Sequence, residues 1–139
     1  MTITLSATTA DQVTQPGTYT AQLVVTSNTP QTFNPMDVTM NVTPPKGWGK
    51  IDGTVFGKDC TSKTSPLRAV VFADGKGQKG FSFTLPTDKN GNYAFWAPAG
   101  ASPFDMTASA VGWIPQTATS SIRGGKTTTV NFTLRPTIC

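Results

Sequence analysis

The sequence contains no histidine and no glutamate. All seven acidic residues are aspartates, at positions 11, 37, 52, 59, 74, 88 and 105. Without histidine there is no Ser–His or Cys–His nucleophile pair and no imidazole to hold a metal. Paired Asp carboxylates can still do acid–base work, but that needs titratable groups in a shared cleft. Here each Asp falls in a turn, beside Gly or next to Lys, and reads as a solvated surface carboxylate. No catalytic residue and no cofactor are expected. Charge is also scarce, at 13% of the chain with a net of +4. The eleven Lys and Arg are scattered, whereas a nucleic-acid binder clusters its cations with aromatics on one face. No apolar run approaches membrane-spanning length, so no membrane insertion is expected. No secretory signal opens the sequence. Met1 leads straight into Thr2-Ile3-Thr4-Leu5, and an exported protein would carry its targeting segment upstream or have lost it. Finally, no window sustains the i, i+3, i+4, i+7 spacing of an amphipathic helix.

What is present is threonine, the commonest residue, with 13 Gly and 11 Pro in 139 residues. That composition favours strands and turns. The length suits one buried core, or one domain and part of a second. The clearest stretch is Thr84 to Trp96. Phe81, Phe83 and Leu85 alternate with small polar residues, and Tyr93 and Phe95 resume the period of two. Between them, Asn90-Gly91 supplies residues that tolerate positive φ, so the stretch predicts a hairpin. Asp88, Asn90 and Asn92 also fall at D-x-N-x-N spacing, a weak candidate metal loop. It lacks the downstream bidentate Glu of an EF-hand, and ordinary turn chemistry is the favoured reading.

In chain order, residues 1–6 alternate through Ile3 and Leu5. Thr18 to Thr26 alternates through Tyr19, Leu23 and Val25, and Met36 to Val42 through Val38 and Met40. Three strands offer one apolar face and no second layer to cover it. This first segment, residues 1–45 with its Pro44-Pro45 linker, must borrow cover from the next domain or another chain. A second unit, 46–139, holds seven predicted strands. These are 50–56, a continuous apolar run 67–73 expected to be covered on both faces, 81–85, 93–96, 104–110, 117–122 and 127–134. Short strands with regularly spaced turns predict an all-β sandwich, preceded by a three-stranded partial segment.

Cys60 follows the first strand of the second unit, and Cys139 follows the last by a similar distance. In such a sandwich the first and last strands often lie side by side and parallel, which makes a Cys60–Cys139 bridge geometrically reasonable. Two unrelated thiols, or a pairing between chains, are the alternatives. An even pair suits an oxidising compartment.

Residues 49–55 (G-K-I-D-G-T-V), 65–72 (S-P-L-R-A-V-V-F), 87–95 (T-D-K-N-G-N-Y-A-F), 108–116 (A-S-A-V-G-W-I-P-Q) and 124–134 (G-G-K-T-T-T-V-N-F-T-L) resemble the carboxypeptidase regulatory-like domain. That is a prealbumin-type (transthyretin-like) β-sandwich, and the resemblance covers residues 49–135. Residues 16–43 resemble the C-terminal half of a bacterial Ig-like repeat. The pairing is similar to the C-terminal tails of secreted subtilisin-like peptidases. The resemblance implies an Ig-like/prealbumin-like fold and a non-catalytic accessory module, secreted or at the cell surface. Its partners would be other domains of a parent protein or neighbouring copies of itself. It supplies no ligand. Related surface sandwiches carry a Lys–Asn isopeptide bond. Lys50 and Asn131 sit on the first and last strands, but both fall on polar faces, the usual Glu is missing, and Asp105 is the only middle-strand acid. The crosslink is therefore not expected.

Three functions follow: a structural spacer or protein-interaction module, a self-assembling surface subunit completed by strand donation between chains, and a carbohydrate-binding module using Trp48, Trp96 and Trp113. A sugar platform needs co-planar exposed aromatics. Trp113 lies in a corner where an aromatic packs and Trp96 ends a core strand, so Trp48, in the linker, is the main candidate.

Overall fold

The computed structural model describes residues 14–139; the strand expected at residues 1–6 lies outside them. The chain divides after Pro44 into two compact units. The described part of the first is a two-stranded antiparallel ribbon, β1 (Gly17–Leu23) and β2 (Met36–Val42). Cross-strand side chains tie it: Thr18 Oγ1 donates to Asn41 Oδ1 (3.0 Å), and Gln22 Nε2 to Asp37 Oδ1 (3.1 Å). None of its described residues is buried, and Val24, Phe33 and Met36 are each more than half exposed.

The second unit is a two-sheet sandwich. Its spine is β3 (Trp48–Lys58), the longest strand. Gly49, Ile51, Gly53, Val55 and Gly57 face inward, while Trp48, Lys50, Asp52, Thr54 and Phe56 face outward. One edge of β3 pairs with β4 (Thr64–Pro66) and β7 (Asn92–Pro98), both antiparallel. The other pairs in parallel with β11 (Thr127–Thr129) and β12 (Phe132–Pro136). A two-residue strand, β9 (Trp113–Ile114), closes that sheet against β12. The facing sheet has four strands: β5 (Val70–Gly75), β6 (Ser82–Pro86), β8 (Phe104–Ser109) and β10 (Gln116–Ser120), in the order β10-β8-β5-β6. Between them the two inner faces bury Ile51, Val71, Phe95, Phe104, Met106 and Leu134 almost completely. Phe95 stacks 4.9 Å from Phe83 and 5.2 Å from Phe104, which joins the sheets through aromatic contact. Each such side chain, once buried, stabilises by roughly 1.5–3 kcal/mol.

The all-β sandwich matches the sequence expectation, with four corrections. The stretch 84–96 is not a hairpin. β6 pairs with β5 and β7 pairs with β3, so Thr87–Gly91 carries the chain from one sheet to the other. The turn itself forms: Gly91 takes φ +77°, and its carbonyl accepts the Val55 N–H (2.8 Å), docking the crossover on β3. Second, the apolar run 67–73 is covered on one face only. Val71 and Ala73 are buried, while Val70 and Phe72 are 40% and 45% exposed. Third, the last strand is interrupted at Val130–Asn131, and together with the short β4 and β9 this raises the strand count above seven. Fourth, Trp48 begins β3 instead of lying in a linker.

Candidate functional site

The outer face of β3 and its neighbours forms an open polar cleft of about 530 Å³. Strand alternation builds it. Asp52 and Thr54 point outward from β3, with Ala94 and Asn92 opposite them on β7 and Thr129 beside Asp52 on β11. Asp52 Oδ1 accepts the Thr129 hydroxyl (2.8 Å), and Asn92 Oδ1 accepts the Thr54 hydroxyl (2.8 Å). Lys50 Nζ stands 4.0 Å from Asp52 Oδ2. Asn131 fills the gap between β11 and β12, where its Oδ1 accepts the Thr54 N–H (2.8 Å) in place of a backbone carbonyl. Beneath this splice the Tyr93 hydroxyl donates to the Val130 carbonyl (2.5 Å), and burial pushes the phenol well above its ordinary pKa.

Two sequence candidates converge on this cleft. Asp88 and Asn92 line it, but the Asp88 carboxylate is occupied by its own turn. Its Oδ1 accepts the N–H groups of Asn90 (2.8 Å) and Asn92 (2.9 Å), and its carbonyl accepts that of Gly91. These bonds, led by the Asn92 N–H, hold its pKa below the ordinary value. That is an Asx turn. Among the described residues, no three His, Cys, Asp or Glu side chains gather to hold a metal. Lys50 and Asn131 also line the cleft, each with a different partner. Asp105 is on the other sheet, hydrogen-bonded to Thr119 (3.1 Å) and 3.9 Å from Lys76. The structure does not bring the three together.

The three tryptophans do not form one platform. Trp48 and Trp96 are diagonal neighbours on the outer face, since Trp48 pairs with Pro98 and Trp96 with Lys50. Trp48 leans edge-on to Phe81 at 6.2 Å, and both indoles are half-buried. Trp113 packs against the core, over Gly57, where a Cβ would come within 2.6 Å of its ring. Sequence reasoning missed Asp52, Thr54 and Thr129 as cleft residues. The period-two pattern of β3 already puts Asp52 and Thr54 on the outer face; what the sequence does not show is that β7 and β11 bring Asn92 and Thr129 beside them.

At the far pole, Cys60 and Cys139 are disulfide-bonded, with Cα atoms 5.6 Å apart. β3 and β12 run parallel and adjacent, so both cysteines leave the sheet at the same end. The preceding Asp59 organises this loop. Its Oδ1 accepts the Thr61 hydroxyl and the N–H groups of Thr61 and Lys63 at 2.7–2.9 Å, and these bonds, led by the Thr61 hydroxyl, lower its pKa.

No family model matches the chain, and no curated protein matches it by sequence. Among solved structures it is similar to the Bacillus anthracis TIE protein, at 11% identity and a TM-score of 0.52, over 74% of this chain and 20% of that one. It also aligns with GBS52, the minor pilin of Streptococcus agalactiae, at 16% identity and a TM-score of 0.47, over 94% of this chain and 64% of the pilin. The chain thus spans a fifth of the TIE protein and under two thirds of the pilin. The likeness to the TIE protein is one of fold, an all-β sandwich.

Proposed function

We propose that the chain is a non-catalytic accessory module of a secreted or surface protein, serving as a structural spacer and protein-interaction domain. Residues 46–139 are its carboxypeptidase regulatory-like sandwich, and residues 1–45 are part of an Ig-like repeat. One observation carries the spacer reading. Because β3 and β12 are parallel, the chain enters the sandwich at one pole and leaves at the other. Each such domain therefore adds the length of β3, about 36 Å at roughly 3.3 Å per residue, to a string of domains. The disulfide supports an oxidising location. The cleft sets charged and hydrogen-bonding groups (Lys50, Asp52, Thr54, Asn131) beside Ala94 and Tyr93, a mixed surface that suits contact with another protein. Sedimentation equilibrium over a wide concentration range, with intact mass under non-reducing conditions, tests the reading. The expected result is a monomer lighter by two hydrogens than the reduced chain.

A second reading is favoured by the first unit. The first unit exposes Met36 on its ribbon and Val24 and Phe33 in the connection between the strands, apolar surface left to cover. A strand from a neighbouring copy would cover it, and the function would then be assembly. A mass that rises with concentration would decide for this second reading.

A further inference from the structure

We infer that the second unit carries tension: load applied between Pro45 and Cys139 runs along β3 and crosses to the C-terminus through the Cys60–Cys139 bridge. This rests on the spacer reading and adds a mechanical role to it. The topology supplies two load paths in parallel. The covalent one is short. β3 ends at Lys58, two residues before Cys60, and the bridge closes residues 61–138 into a loop that this covalent path bypasses. A strand rises about 3.3 Å per residue and a fully stretched chain at most about 3.6 Å, so this path has slack on the order of only 10 Å.

The second path is the hydrogen-bonded ladder. β3 meets β11 at Lys50–Asp52 and β12 at Val55–Gly57 in one unbroken register. Across the gap, the Val130 N–H donates to the Asp52 carbonyl (2.8 Å) and the Thr54 N–H to Asn131 Oδ1 (2.8 Å). Pulling the start of β3 away from the end of a parallel β12 shears all of these bonds at once. Antiparallel terminal strands loaded from one pole would instead open one bond at a time.

Force spectroscopy on the full chain held between two marker domains tests this. Any lengthening from the first unit is common to all samples. In reduced protein and in the Cys60→Ser/Cys139→Ser variant, the second unit should lengthen in a single cooperative step of about 300 Å, from about 95 residues at ~3.6 Å each less the folded span. The oxidised chain should lack that step. The decisive arm adds thiol to oxidised chains held just below the force that unfolds the reduced unit. An intact core gives no release when the bridge is cut. Immediate release of most of the 300 Å would mean that the core had melted behind its bridge, and would overturn the proposal. So would reduced protein that lengthens at low force in several small steps. If the chain is nonetheless a folded monomer by sedimentation, the spacer reading survives either failure. A self-associating chain would instead remove that reading.

Discussion

An ideal Cβ at Gly53 would lie 1.8 Å from the Val130 carbonyl oxygen, a backbone atom with no room to move. Gly53→Ala should therefore push β11 and β12 off the spine, costing about 2 kcal/mol or more of stability in a denaturant titration, at the upper end for overpacked sites. Charge sets a second local balance. Asp74 and Asp105 face each other directly across β5 and β8, an unfavourable like-charge pairing. Lys76 offsets it, with Nζ 2.5 Å from Asp74 and 3.9 Å from Asp105. Lys76→Ala should destabilise at low ionic strength and much less in molar salt, because screening weakens the exposed repulsion it exposes. Asp59 gives a pH signature. Its folded pKa is depressed, so its contribution is fully present above the ordinary carboxylate range and is lost as pH falls through the folded value. The amide resonances of Thr61 and Lys63 should move together in a transition below about pH 4. Asp59→Asn should abolish that transition.

The splice at Val130–Asn131 belongs to the strand scale. Asn131→Ala removes the acceptor of the Thr54 N–H and should cost about 1 kcal/mol. The Thr54 amide should then exchange faster with solvent while the amides of Ile51 and Val55 stay protected. How far the sequence revealed such features depends on whether their causes are local. Period-two alternation is local: it sets Phe104, Met106 and Ala108, and likewise Phe132 and Leu134, on one face of their strands, and that face is the buried one. Turn chemistry is local too, and Asp88 to Gly91 does form its turn. The partner of each flanking strand is not encoded in that turn. Alternation around Asn90-Gly91 is equally consistent with a hairpin or with a crossover between sheets, and only the facing of Phe83 and Phe95 across the core separates them. The run Leu67 to Ala73 failed for a similar reason: apolar residues on both sides of a strand do not show that a layer covers both. The cleft was half-legible. Lys50, Asp88, Asn92 and Asn131 stand out in the sequence as crosslink or metal-loop candidates, and what unites them in the structure is their place around one cleft.

At the scale of the molecule, the bridge spans 79 residues, and closing a loop of that size restricts the unfolded chain by about 4.5 kcal/mol on the chain-entropy argument. That is a large share of the roughly 5–15 kcal/mol that a domain possesses. Cys139→Ser should accordingly lower the melting temperature steeply under oxidising conditions, and thiol should lower that of the wild type to match. The parallel pairing of β3 with β12 also has a meaning in time. Thr54 waits for Asn131, 77 residues further along the chain. At a synthesis rate of about 5–20 residues per second, that is roughly 4 to 15 seconds during which one edge of the spine stands open. The first strand of the sandwich to be made is thus the last to be completed, and a chain cut short before Phe132 never acquires the strand that closes it.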